Sequence, residues 1–398
     1  GDFWLSSYIL MENAMRDPRG HYLETFCEVD LSAFGRNIER IRQWVAGREI
    51  ILAVKANAYG HGVVPICREA VQHNVHRFGV ATLVEGVELR DAGIDDEIIM
   101  LTPPTLEQVP SVVYHNLSPN IVNRQLAEAL SAEAKRTNKT IGVHIEIDTG
   151  MGRTGIMWYD AIGEIYSISQ LPDIRLEGVF SHFPAADSKS KSDVEFTQMQ
   201  LRRFSDIITS LKRGGVSVPV VHMANSAGIL AYPIIGEAVR PGILTYGLYP
   251  SDEVKKSIKV EPVMSLRTRV VQLRDFDSGC SIGYGRTFIT QHRERVAVIR
   301  AGYGDGLRRA LSNRGEVLIR GKRCSILGRV SMDTTVVSAD REVQLNDEVV
   351  IIGSQGKDRI TADDHARWTY TISYEILTGI SERVRRVYVK NGEVIEVM

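Results

Sequence analysis

The stretch "ILAVKANAYGHG" (residues 51–62) puts a lysine at the end of an apolar run. Ile51, Leu52, Ala53 and Val54 read as a buried strand, and the asparagine and glycines behind Lys55 read as the loop that ends it. A lysine on such a strand end is poorly hydrated, and desolvation lowers the pKa of an ammonium from its reference of about 10.4. Two readings fit. Lys55 is a nucleophile or base that sheds its proton, or it snorkels from the strand end to solvent.

The surrounding chain supplies the context. Short apolar runs recur as "IILAV" (50–54), "FGVA" (78–81), "EIIML" (97–101), "SPNIV" (118–122), "IGVHIEI" (141–147), "RLEGVF" (175–180), "VPVVHM" (218–223) and "EAVRPGIL" (237–244). Most gaps hold helical segments such as "LVEGVELRDAG" and "FTQMQLRRFSDIITSLKRGG", the latter closed by glycines. Strand–helix alternation counted to eight predicts an N-terminal (β/α)8 barrel over residues 23–262. After about residue 262 the pattern changes to strand-like runs parted by Gly, Asn and Asp, ending in "RVYVKNGEVIEV", a hairpin with an Asn–Gly turn. A mainly β domain is expected over 263–398.

Barrel active sites lie at the C-terminal ends of the strands. Those ends carry Lys55, Asp148, Arg153, His182, Asn225, Ser226, Arg240 and Gly242. A lysine, a histidine and two arginines on one rim suit an anionic phosphorylated ligand; the plainer reading is a set of solvated loop residues.

The bulk numbers exclude several classes. The chain has 398 residues, 43% hydrophobic and 24% charged, with a formal net charge of −1. A balance so near zero gives no reason to expect nucleic acid or an anionic membrane as partner. Cys27, Cys67, Cys280 and Cys324 are scattered, without CxxC or His spacing, and read as reduced cysteines of a cytoplasmic protein with neither disulfide framework nor metal site. No apolar run approaches a membrane span. Residues 1–22 form a leader that is a poor signal peptide; a native extension, a cloning remnant and the cut end of a longer chain all fit it.

The motifs then become recognisable. "AVKANAYGHG" resembles the pyridoxal phosphate (PLP) lysine motif of the alanine racemases, fold-type III PLP enzymes. The resemblance continues in order through "DTGMGRTG" (148–155), "SHF" (181–183), "HMANSAG" (222–228), "VRPGILTYG" (239–247) and "SIGYGRTF" (281–288). It ends with "GYGDG" (302–306), "GRVSMD" (328–333) and "TISYE" (371–375). It implies a homodimer with shared active sites, converting L- and D-alanine by a two-base mechanism and supplying D-alanine for peptidoglycan.

Carried over position by position, the resemblance implies that Lys55 holds PLP covalently and then acts as base on one face of the substrate α-carbon. Tyr284 of the partner subunit would be the acid/base on the other face. His182 would link that tyrosine towards Arg240, which would donate to the pyridine nitrogen. Tyr59, Asn225, Ser226, the amides of Gly242 and Ile243, and Tyr374 would hold the cofactor phosphate end. Arg153 would meet the cofactor's phenolic oxygen and the substrate carboxylate, with Met332 and Asp333 of the partner subunit beside that carboxylate. Tyr303 and Asp187 would line the access channel, or are simply satisfied polar residues.

Two positions depart from the family pattern. Many members carry a carbamylated lysine two residues before the Asp of "DTGMGR", and Glu146 stands there in this chain. It supplies the same charge to Arg153 on a shorter reach, or faces elsewhere. "GYGDGL" has Gly304 and Leu307 where the family usually has Ala and an aromatic, which opens the alternative of a serine or broad-specificity racemase. Single-barrel PLP-binding proteins share the lysine motif but lack the β domain, so Tyr284 and "GRVSMD" argue against them.

Overall fold

The computed structural model describes residues 23–398, and the leader expected over 1–22 lies outside them. The chain divides into a unit of Gly35–Glu261 and a unit that joins the N-terminal segment through Phe34 to Pro262–Met398.

In the first unit eight parallel strands follow one another: Glu49–Ala53, Arg77–Val80, Glu97–Met100, Ser118–Ile121, Ile141–Asp148, Ile174–Phe180, Val220–Asn225 and Ala238–Arg240. Each pairs with the next, and the last closes on the first through Ala238↔Glu49 and Val239↔Ile50. Each of the eight apolar runs overlaps one strand, including the shortest, Ala238–Arg240. Helices on the outside and packed side chains inside bury both faces of such strands, so they read as nearly continuous apolar stretches. The helices begin where local chemistry favours them. Thr82 and Glu85 form a reciprocal capping box at the start of Leu83–Asp91. Asn123 and Ser190 cap Arg124–Arg136 and Lys191–Arg213 with their side chains.

Polar residues interrupt the apolar pattern at matched places. His144, Glu146 and Asp148 alternate along a strand buried at every position. His144 bonds Glu97 across the intervening Ser118–Ile121 strand and His222 across Ile174–Phe180. Only inward-pointing side chains can reach over a neighbouring strand, so this set lies in the barrel interior. Gly178 makes the space: a Cβ there would stand 2.3 Å from His144 Nδ1.

The second unit is mainly β, as expected. Its hub is the long strand Met264–Phe276, antiparallel to Phe26–Asp30, Glu294–Ile299 and Glu348–Gln355. Phe26–Asp30 corrects the expected barrel start at residue 23. This strand is inserted between Met264–Phe276 and Arg385–Lys390 of the β-rich unit, where Phe26, Cys27 and Val29 are buried. The final hairpin is present, Arg385–Lys390 against Glu393–Val397, with Asn391 at φ 54° and Gly392 at φ 81°, the positive values a primed turn needs.

Candidate active site

Lys55 follows the strand Glu49–Ala53 at the barrel's C-terminal rim. Burial, then the Arg153 and Arg240 guanidiniums, hold its ammonium below the ordinary lysine range, against the opposing pull of Glu85. This favours the reactive reading over the snorkelling one.

Arg240 ends the last barrel strand and is 5% exposed. Nη1 donates to His222 Nδ1 at 2.6 Å and to the His222 carbonyl at 3.0 Å. Nη2 donates to the Ser181 carbonyl at 2.6 Å and lies 3.2 Å from His182 Nδ1. The guanidinium carbon sits 5.0 Å above the Phe180 ring. Burial lowers its pKa to about 10, with Glu146 opposing, so it stays charged at neutral pH. Among the described residues its Nε has no hydrogen-bond partner.

An arginine can only donate, and this fixes the protons along an interior chain. His222 Nδ1 must accept from Arg240, so its proton is on Nε2, which donates to His144 Nδ1 at 3.0 Å. His144 then carries its proton on Nε2 and donates to Glu97 Oε1 at 3.0 Å. Ser118 also donates to Glu97 Oε1, and Arg77 Nε lies 2.9 Å from Oε2. Burial pushes the Glu97 carboxyl up, but His144 and Arg77 outweigh it and hold it below the usual range. Burial and then Arg240 hold His222 well below the ordinary imidazole range, so it is neutral. A carboxylate near the barrel floor is thus wired to the rim arginine through two neutral imidazoles.

His182 follows the strand Ile174–Phe180, and burial, Arg240, Arg153 and Lys55 hold its pKa well below the usual value. With Nδ1 turned to Arg240, its remaining proton is on Nε2.

On the other side of the rim, Ser226 Oγ accepts from the Gly242 amide at 3.0 Å and the Leu244 amide at 3.3 Å. The Ile243 amide has no hydrogen-bond partner among the described residues. A Cβ on Gly242 would stand 2.3 Å from Tyr59 Oη, so no larger residue fits between that hydroxyl and the backbone. Asn225 caps the following short helix, its Oδ1 accepting from the Gly228 amide at 2.9 Å.

Arg153 is exposed in the loop after Ile141–Asp148, where Asp148 accepts from the Gly150 and Gly152 amides. Of the two readings of Glu146, the structure favours the one in which it faces away from Arg153. Glu146 Oε2 accepts from Asn120 Nδ2 at 2.7 Å and Thr154 Oγ1 at 2.8 Å, and no ion pair joins it to Arg153 among the described residues. The reason is reach: Glu146 is 2% exposed on an inward strand position, while Arg153 lies seven residues on at an exposed loop position.

Tyr284, Tyr303, Met332, Asp333 and Tyr374 belong to the β-rich unit. Tyr284 is 70% exposed, and Tyr303 and Met332 are exposed as well. Arg383 braces the segment beside them, donating to Asp305 Oδ1, Asp333 Oδ1 and the Met332 carbonyl. Its guanidinium fills the space beside Gly304, where a Cβ would meet Nη2 at 2.6 Å. A side chain at 304 would therefore collide with Arg383 rather than enter open space.

Reading the sequence for motifs missed Glu85, Glu97, His144 and His222 as parts of one site. The available signals were polar residues at every second place of a buried strand, "HIEID", for His144, and the capping-box spacing of Thr82 and Glu85 for Glu85.

Comparison with known proteins gives the same reading. Residues 29–250 match the alanine racemase N-terminal domain and 263–388 the alanine racemase C-terminal domain. The alanine racemase of Carboxydothermus hydrogenoformans is 40% identical over 370 residues, 92% of this chain and 99% of that one. The Bacillus anthracis alanine racemase with bound L-Ala-P superposes with TM-score 0.89 at 36% identity, covering 95% of this chain and 98% of that one. The Bartonella henselae alanine racemase with covalently bound pyridoxal phosphate gives TM-score 0.81 at 28% identity, covering 92% and 99%. Two family domains in the expected order, and relatives matched over nearly their whole length, place the chain in the alanine racemase family, isomerases that interconvert L- and D-alanine.

Proposed function

We propose that this chain racemises alanine with PLP held at the barrel rim, and that Lys55 and Tyr284 of the partner subunit are its two bases. The observation that carries the reading is the rim cluster of Lys55, His182 and Arg240, in which a proton-shedding amine stands beside a fixed cation. The residues fit the cofactor. The unpartnered Ile243 amide, the Gly242 approach to Tyr59 and the Ser226 hydroxyl form a cradle of donors for a phosphate. Arg240 Nε is free to donate to a pyridine nitrogen. When bound, PLP would supply electron withdrawal from the substrate amine and so acidify the α-carbon.

Each protein group has a task that follows from its state. Lys55 accepts or returns the α-proton on one face, and its lowered pKa keeps a neutral fraction at working pH. A phenol with a reference pKa of about 10 is a weak base at neutrality and needs a donor to stabilise its anion. His182 offers Nε2–H for this, and its neutral ring keeps that site from becoming a competing acid. Arg240 keeps its own protons, so it donates to the ring nitrogen without protonating it. That restrains charge build-up on the cofactor and favours reprotonation over side reactions. Arg153, with Met332 and Asp333 of the partner subunit, receives the substrate carboxylate; Asn225 and Tyr374 complete the cofactor contacts, and Tyr303 borders the access channel.

The dimer is part of this proposal. The 70% exposure of Tyr284 in a single chain supports a role completed by a second copy. We place the reaction in the cytoplasm, making D-alanine for peptidoglycan; four free cysteines suit a reducing compartment. Among the described residues no helix is long and apolar enough to cross a membrane. The deciding experiment mixes inactive Lys55→Ala and Tyr284→Phe subunits. One of the two sites in a mixed dimer keeps both bases, so activity should return after subunit exchange. No recovery after verified exchange would show that each site is built within one chain.

A further inference from the structure

Immediately after Lys55 the backbone does something costly. Ala56, Asn57, Ala58 and Tyr59 all have φ between 52° and 54°, with ψ close to 50° for the first three. This is a left-handed helical turn built without glycine. Left-handed backbone brings Cβ against the carbonyl oxygen, and residues other than glycine visit it singly, not in runs. Such strain persists only where the surroundings over-determine it, and it collects at functional sites.

The surroundings here are specific. Asn57 Oδ1 accepts from the Val63 amide at 2.7 Å, and the Asn57 carbonyl accepts from Gly62 at 3.0 Å. His61 Nδ1 lies 3.0 Å from both the Ala58 and Tyr59 carbonyls. These contacts are local to the turn. A side chain from another β/α unit, Glu85, grips it as well. Its Oε1 accepts from the Ala56 amide at 2.7 Å, while Oε2 accepts from the Ala81 and Thr82 amides at 2.7 and 3.1 Å. One carboxylate therefore ties the residue after Lys55 to the start of the helix Leu83–Asp91.

We propose that Glu85 is a positioning residue: its carboxylate locks the left-handed turn 56–59, so that Lys55 at its start and Tyr59 at its end keep their reactive and phosphate-facing places. This rests on the reading of Lys55 as the cofactor-bearing base. A glutamine cannot substitute, because its single oxygen satisfies one side and its NH2 then faces an N–H on the other. The charge of Glu85 also opposes the depression of the Lys55 pKa, so its removal lowers that pKa further.

The test uses the purified enzyme with Glu85→Gln, Thr82→Ala, Ala56→Gly and the Glu85→Gln/Ala56→Gly pair. Glu85→Gln should lower kcat roughly tenfold or more, shift the kcat/KM limb of Lys55 to lower pH, and speed amide exchange over residues 55–60 by about tenfold. Glycine accepts left-handed backbone freely, so adding Ala56→Gly to Glu85→Gln should recover much of the lost kcat. Thr82→Ala removes the helix cap but keeps the Ala56 contact; it should lower the thermal midpoint by about 2–4 °C with kcat near wild type. The proposal is overturned if Glu85→Gln keeps wild-type kcat and exchange, or if Thr82→Ala reproduces its kinetic defect and glycine fails to rescue it. An enzyme with Lys55→Ala that still racemises would defeat the reading of Lys55, and the exchange measurement reports on the turn separately.

Discussion

His222→Phe is the sharpest test of the interior relay. Phenylalanine keeps a ring of similar size, so the stack on Phe180, now 4.9 Å between centroids and 9° from parallel, survives. Two things are lost. The charge-assisted bond from Arg240 Nη1, 2.6 Å long, contributes about 1.5–3 kcal/mol. His144 Nδ1 loses its donor and is left buried, which costs about 1–3 kcal/mol more. For a unit the size of the barrel the combined loss corresponds to a fall in thermal midpoint on the order of 10 °C. Arg240 keeps the His222 and Ser181 carbonyls as acceptors, so it should stay charged but less well fixed, and kcat/KM should drop roughly tenfold or more. Glu97→Gln should act in the same direction with a smaller effect, since an oxygen still faces His144 while an NH2 replaces the oxygen facing Arg77. Nitrogen NMR of the wild-type histidines checks the proton assignment directly: His222 should carry its proton on Nε2 and not titrate near neutral pH. A protonated Nδ1, or a His222→Phe enzyme with wild-type stability and kcat/KM, would refute the relay.

Three further outcomes follow from the geometry. Glu146→Gln keeps an oxygen for Asn120 and Thr154, so kcat/KM should stay within about threefold of wild type and show no dependence on bicarbonate; a large loss would restore a link to Arg153. Gly242→Ala forces a Cβ to within 2.3 Å of Tyr59 Oη, and cofactor retention measured by dialysis should weaken about tenfold or more. His365 is buried and its pKa is lowered to about 4, so the folded state binds fewer protons than the unfolded chain. Stability should therefore be lost as pH falls from about 6.5 to about 4, by up to about 3 kcal/mol, and His365→Gln should flatten that limb in acid denaturation.

The fold was legible because its signals are local. Parallel strands buried on both faces spell apolar runs, and eight of them spaced by helical segments leave few architectures. Helix starts at Thr82, Asn123 and Ser190 are likewise written in the residues that cap them. The expected barrel start at residue 23 took in strand Phe26–Asp30 for the opposite reason. "FCEVD" looks like any short strand, and its partners Met264–Phe276 and Arg385–Lys390 lie more than two hundred residues away. Glu146 shows a second limit. Its position in the motif was readable, but its partners depend on inward-facing neighbours, Asn120 from the adjacent strand and Thr154 from the loop.

The relay shows how such non-local chemistry is encoded. Glu97, His144 and His222 look unrelated in sequence, polar residues in three separate apolar runs. Parallel register sets His144 beside Gly178 and His222 beside Phe180, leaving room for the imidazoles to meet over the strand between them. Burying an unpaired polar group is unfavourable, so three polar residues inside a barrel are stable only as a connected set. Connection in turn dictates direction. Because arginine only donates and carboxylate only accepts, the two imidazoles between them have one consistent arrangement of protons. The rim cation is thereby held by a neutral acceptor, with its compensating charge two residues deeper. An anion placed directly on Arg240 would compete with any ligand for its donors; a neutral histidine orients the guanidinium and leaves Nε for the proposed cofactor contact.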